Sequence, residues 1–289
     1  MNPDQFIADS KKALDPKQQY LVLKEQFKKG NRDSLFLKRL IDGAEKSWDQ
    51  GGRDTFVNAY LSTQKNLLTS QNIKYITEAT HAVNDLGFPV LRDHPELVDS
   101  ITKNGNSCKL IKSIVFDDII VPIINKDGKA SSVGGGMVIY SGETRKNINW
   151  DSVRVGIQKS YPKQSDAIML YSQIMHYRFL NDRDSYSRII SANSDSIDPM
   201  ELYGFTNDQT VLNADGNNWA LAIKWMQKAL SQIDVKQEPS FLRVYGVLLY
   251  KNGQIDAGIK EVEEYLKLSK YPDEDTAKTL KKMNQRKPI

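Results

Sequence analysis

Near the start of the chain, successive segments each carry a helix start, an apolar stripe and a stop, and this rhythm constrains the fold more than any other feature. Asp33 opens one such segment, in which Leu37, Leu40, Ile41, Ala44 and Trp48 recur at the three-four spacing of one helical face. Ahead of it, Asn2 with Pro3 and Asp15 with Pro16 mark earlier starts. Tyr20, Leu23 and Phe27 then share a face until Gly30 stops the helix. Behind it, "DQGG" reads as a stop and Asp54 as the cap of a third helix, with Val57, Tyr60, Leu61 and Leu68 on its apolar side. Linkers of a few residues make neighbouring helices pack as antiparallel hairpins. The expectation is an all-α array of antiparallel helix pairs.

The helical pattern continues in shorter pieces through residues 70–100, broken at Gly87 and Pro89. The run "LIKSIVFDDIIVPII" carries β-branched residues that favour a strand. Its Ile111, Val115, Asp118 and Ile119 suit a helix with an interrupted apolar face, and the helical neighbours tip the reading to helix. The stretch "NKDGKASSVGGGMVIYSGETRKNINW" reads as a glycine-rich loop with a short hairpin at Met137 to Tyr140. These breaks suggest a helical array over 1–129, a loop or hairpin at 130–150, and a second helical part over 151–289, or one continuous domain. In the last part Val155, Ile168, Tyr171, Ile174, Met175 and Phe179 form stripes, with "YPKQSD" as a turn and "SANSDSIDP" as a polar loop. A further array starts near Asn218, and the basic tail "KTLKKMNQRKPI" reads as frayed.

Composition excludes several classes. The 40 basic and 36 acidic residues are interleaved and leave a net charge of only +4, which falls short of the concentrated basic stripe of a nucleic-acid binder. Cys108 is the sole cysteine, so neither an internal disulfide nor a Cys-x-x-Cys pair can form. No apolar run approaches a membrane span of roughly 18 residues. The opening "MNPDQFIADSKKALDP" lacks the basic and apolar regions of a signal peptide.

The stretch "RVYGVLLYKNGQIDAGIKEVEEYLKLSKYP" reads as a tight helix pair. Leu242, Tyr245, Gly246 and Leu249 take the large-large-small-large positions of a first helix, and Gly253 closes the turn. Gly258, Val262 and Tyr265 supply the face of the second. Upstream, Ala222, Met226 and Ala229 repeat that second face, with Ala222 lying 36 residues before Gly258. This resembles one full tetratricopeptide-like repeat preceded by half of another, a pattern with a period of roughly 34 residues. The match departs from the family at Leu242 (usually tryptophan), Gly258 (usually alanine) and a late Pro272. On the first helix Arg243, Val247 and Tyr250, with Lys251 alongside, lie on a separate strip from the packed side. Arginine and tyrosine are common interface anchors, which makes these four the candidate partner-binding residues. The competing reading is that Tyr250 covers a neighbouring helix and the pair only closes a core.

A broader likeness runs through "NPDQFIADSKKALDP", "LKEQFKKGNRDSLFLKRLIDGAEKSWD", "FPVLRDHPELVDSI", "IINKDGK" and the repeat-like end. Across roughly residues 2–270 the chain resembles the helical extension that follows the thioredoxin domain in some bacterial envelope thioredoxin-like proteins. The redox Cys-x-x-Cys unit of that family is absent, so no catalytic residue carries over. The likeness implies an accessory region of such a protein, located in the cell envelope or periplasm, whose partner is a protein, a peptide or a thioredoxin-like domain of the same protein.

Catalytic, cofactor and metal signatures are weak. His81, His94 and His176 are scattered, with no pair at the spacing of a zinc-binding helix. Asp117 and Asp118 are adjacent, so on a helix they splay about 100° apart instead of aiming at one substrate. "SSVGGGMV" lacks the lysine of a phosphate loop. "NADGNN" lacks calcium's first and last acidic ligands, and Asp215 with Asn217 suits a turn and helix cap. Two function classes follow: a non-catalytic helical scaffold for protein contacts, or a small-ligand receptor or enzyme whose site is assembled from distant residues.

Overall fold

The computed structural model describes residues 19–102, 106–132, 138–208, 216–271 and 273–289. The helix starts read at Asn2 and Asp15 lie outside the described residues. Helices dominate, with two small antiparallel two-stranded sheets, so the all-α reading holds. The chain divides into two compact units, Met1–Ser172 and Gln173–Ile289, and the division falls inside a helix.

The first unit begins with α1 (Tyr20–Lys28), α2 (Ser34–Lys46), α3 (Gln50–Ser62) and α4 (Ser70–Ala79). Gly30 leaves α1 with φ of 96°, and the Asp33 carboxylate caps α2 by accepting from Phe36 N–H, as the sequence suggested. Leu37, Leu40, Ile41 and Ala44 are wholly buried. The stripe stops there: Trp48 lies beyond the helix end, 85% exposed, with φ of 58°. The N–H groups of Trp48 and Asp49 reach back to Glu45 and Ala44 carbonyls in a Schellman cap. The start of α3 also differs from expectation. Asp49, not Asp54, is the cap, accepting from Gly52 N–H, and Gly51 and Gly52 belong to the first turn. A side chain on Gly52 would collide with the Asp49 carboxylate, which explains the glycine. Leu68 follows α3 and is 37% exposed, so it belongs to no helical face.

Next come α5 (Phe88–Asp93), α6 (Pro95–Ile101), α7 (Asn106–Val115), a π-helical turn (Phe116–Ile120) and α8 (Val121–Ile124). The ambiguous apolar run is therefore helical, with one wide turn. Pro122 accounts for it. Proline has no N–H to donate, and its ring opposes the carbonyl four residues back. The wider turn relieves that crowding, and Val121 N–H reaches five residues back to Phe116 O. A small β platform follows, in which β1 (Asn125–Lys126) pairs with β4 (Glu143–Thr144) and β2 (Ala130–Ser132) with β3 (Val138–Tyr140). The Asn125 amide donates to Ser141 O at 3.0 Å and accepts from the Thr144 hydroxyl at 2.9 Å. Helices α9 (Trp150–Ser160) and α10 (Ser165–Phe179) follow, and α10 runs past the end of the unit.

The second unit holds the end of α10, α11 (Arg183–Asn193), α12 (Pro199–Thr206), α13 (Gly216–Leu230), α14 (Ser240–Lys251), α15 (Ile255–Leu268) and α16 (Glu274–Asn284). Ala222, Met226 and Ala229 of α13 are wholly buried, and so is Val262 at the equivalent face of α15. Gly253 closes the α14–α15 turn at φ of 84°. The tail is not frayed. Thr276 and Met283, one helical stripe apart, are buried, and Lys287 O accepts a hydrogen bond from Tyr250.

Candidate functional site

The strip read from the sequence does not form one open face. Helix α14 is packed on most of its circumference, against α13 and α15 above all. Tyr250 is 7% exposed and packs with Val262 and Met283, while its hydroxyl donates to Lys287 O at 2.8 Å. It is a core residue that pins the last helix, because α16 covers the side of α14 that sequence spacing left open. Arg243, Val247 and Lys251 are half-buried, and the Lys251 ammonium lies 5.8 Å from the Trp219 ring. On the other side of α14, Leu242 and Leu249 are buried as expected, and the half-buried Tyr245 accepts from the Gln227 amide.

The remaining candidates are placed individually. His81 sits 3.2 Å from Asp54, His94 is exposed at the α5–α6 junction, and His176 is buried at 2% exposure. Among the described residues, no group of three metal-ligating side chains comes together. Asp118 accepts from Val83 N–H at 2.8 Å and so ties the π turn to the loop after α4. Asp117 accepts from the Tyr140 hydroxyl at 3.0 Å, and burial pushes its carboxyl above the usual range. Asp215 and most of "SSVGGGMV" lie outside the described residues.

A groove of about 550 Å³ in the first unit is the site that spacing did not reveal. One wall is Ile119 of the π turn with Ile123 of α8. The other is the face of α9 carrying Val153, Gly156, Ile157 and Ser160, a three-four stripe. In front of Gly156 a side chain would meet nothing within 4 Å, so the glycine leaves the groove open at its middle. Tyr161 closes one end, held edge-on to Phe88 at 6.1 Å. Burial raises its phenol, the Arg92 charge pulls it back, and the Asp118 charge adds a smaller rise. Asn147, Ile148 and Asn149 line the other end beside Arg145.

Arg145 is fixed by the backbone it caps. Its guanidinium donates to the carbonyls of Pro122 and Ile123, and its own N–H donates to Ile124 O at 2.7 Å. These are the end carbonyls of α8, where a cation is favoured. Asn149 is likewise committed, accepting from Ser152 N–H to cap α9. The lining contains no His, Cys, Asp, Glu or Lys; Arg145 and Tyr161 are its titratable groups. Neither a general base nor an activated nucleophile is present.

A second concavity in the other unit lies between α11 and α13. There the Ser187 hydroxyl donates to the Asn218 amide oxygen, and Ser191 Oγ accepts from Trp225 Nε1. Comparison with protein-family models, with curated proteins and with solved structures finds no match.

Proposed function

We propose that this protein is a non-catalytic helical scaffold that holds a protein partner, with the α9 groove as a docking surface. One observation carries the reading: the groove pairs partly buried apolar walls with Arg145 and Asn149, which are engaged in capping its own helices, and its lining contains no acid-base pair. Its volume falls in the range of small-molecule sites, roughly 300–1,000 Å³. Yet Ser152, Gly156 and Ser160 leave it open along its length, which suits an extended or helical segment better than an enclosed ligand. The paired helices of the second unit support a scaffold role as well. The close α14–α15 packing and the equivalent buried face on α13 are features of a tetratricopeptide-like end. An accessory region of an envelope thioredoxin-like protein is consistent with this, and a thioredoxin-like domain is then one candidate partner.

The test is a fluorescence-anisotropy screen of a random peptide library against the protein and against Ile123→Asp, which places a charge on the exposed wall. Saturable binding that Ile123→Asp removes without lowering the melting temperature is the expected result. No peptide bound at about 1 mM overturns the reading.

A further inference from the structure

We infer that the α9 groove selects segments that carry apolar side chains followed by a carboxylate, and this inference rests on the docking reading above. The charge of the groove's lining is confined to one end. At one end stands Arg145, the one charged residue of the lining, fixed on the carbonyls of Pro122 and Ile123. The same end holds Asn149, the cap of α9, so the positive end of the helix dipole lies beside the guanidinium. The opposite end is set by Tyr161 and Ile119, where the charges of Arg92 and Asp118 oppose one another at the Tyr161 phenol. An acidic group is therefore favoured at the Arg145 end, where the one charge of the lining stands.

Between the two ends the lining is apolar or small. Val153 and Ile157 face Ile119 and Ile123 across the gap that Gly156 leaves open. Helix α9 has 11 residues, so the groove extends about 16 Å. That length accommodates two turns of a helical segment with apolar residues at i and i+4, or about five extended residues. Asp151, on the first turn of α9, lies outside the lining and does not neutralise it from within.

The experiment uses the full chain and fluorescein-labelled, end-capped ten-residue peptides with leucine at i and i+4 and a variable last position. Glutamate, glutamine and lysine are compared by anisotropy at about 50 mM and about 500 mM salt. The glutamate peptide is expected to bind about tenfold tighter than the lysine one at low salt, with the gap narrowing at high salt. Gly156→Leu, which fills the groove where a side chain meets nothing within 4 Å, is expected to weaken the glutamate peptide at least about tenfold with the melting curve retained. Equal binding of the three peptides overturns the inference and leaves the scaffold reading standing, whereas no binding of any peptide overturns both. A glutamate preference that survives Gly156→Leu also overturns it, because the carboxylate is then read elsewhere. Decanoate bound in place of every peptide would assign the groove to a small amphiphile and overturn it as well.

Discussion

Gly246 and Gly258 face each other across the α14–α15 pair, each filling the space the other's side chain would need. A Cβ on Gly246 would stand 2.7 Å from Gly258 O, and one on Gly258 would stand 2.6 Å from Gly246 O. Both contacts are with backbone, which cannot rotate aside. Gly258→Ala is therefore expected to destabilise the protein by about 1–2 kcal/mol, overpacking outweighing the helix-propensity gain of about 1 kcal/mol. Gly156→Ala, at an open helical position, is expected to stabilise by about 0.5–1 kcal/mol. Urea midpoints of the two variants, moving in opposite directions, check the pair.

Asp49 ties α1 to the start of α3, accepting from the Tyr20 hydroxyl at 2.6 Å, the Lys24 ammonium at 2.8 Å and Gly52 N–H at 2.9 Å. The Lys24 bond leads in holding its carboxyl at about 2, below the ordinary 3.8. A lowered folded value means the contribution is present above 3.8 and is lost as pH falls towards 2. The carboxylate is 30% exposed, so solvent screening reduces the effect to about 1 kcal/mol. Asp49→Asn should lose about that much at pH 6 and converge on the parent at the acid end, as read by denaturation at stepped pH.

Asp117 has the opposite sign. Its carboxyl is raised above 3.8, chiefly by burial, while the Tyr140 hydroxyl bond pulls it back. The stability of its neutral form is complete below 3.8 and is lost as pH rises through the folded value. Asp117→Asn keeps an acceptor for Tyr140 and removes the buried charge. It is expected to be at least as stable as the parent at pH 7, with a flatter stability profile above pH 4 by differential scanning calorimetry.

Trp48 occupies a left-handed cap position with φ of 58° and 85% of its surface in water. Glycine adopts that backbone without the Cβ penalty. Trp48→Gly is expected to raise stability by about 1 kcal/mol, measured by guanidinium unfolding. A loss would show that the indole packs more than its exposure indicates.

Tyr250→Phe removes one partly buried hydrogen bond to Lys287 O, an expected loss of about 1 kcal/mol. Hydrogen exchange should quicken in α16 more than in α13. Arg243→Ala, on a half-buried side chain of the same helix, should stay within about 0.5 kcal/mol of the parent.

The helical architecture and the α14–α15 contact were legible because both are local. A stripe such as Leu37, Leu40, Ile41 and Ala44 records its own period, and a glycine between large residues announces close approach. Trp48 misled because it continues the spacing one step past the helix end, and spacing does not encode where the chain turns. Asp49 and Asp54 compete as caps five residues apart, and only the fold-back onto Gly52 decides between them. Spacing leaves Tyr250 open to either reading, an exposed strip or a covered position, because the helix that covers it, α16, comes later in a basic segment that reads as frayed. The groove left no mark at all. Ile119 and Gly156 stand in separate elements, and nothing in either segment specifies the distance between them.

The π turn at Phe116–Ile120 gives the groove an unusual vulnerability. It stores roughly one residue more than an α-helical turn would, and each helical residue rotates its successors by about 100°. Removing any one of those five residues would let the segment rewind as ordinary helix with α8 near its present bearing, and would bring the Pro122 ring back against the carbonyl four residues before it. The accommodation of Pro122 is thus encoded in chain length as much as in side-chain chemistry. Point substitutions keep the residue count that accommodates Pro122, whereas a single-codon deletion does not.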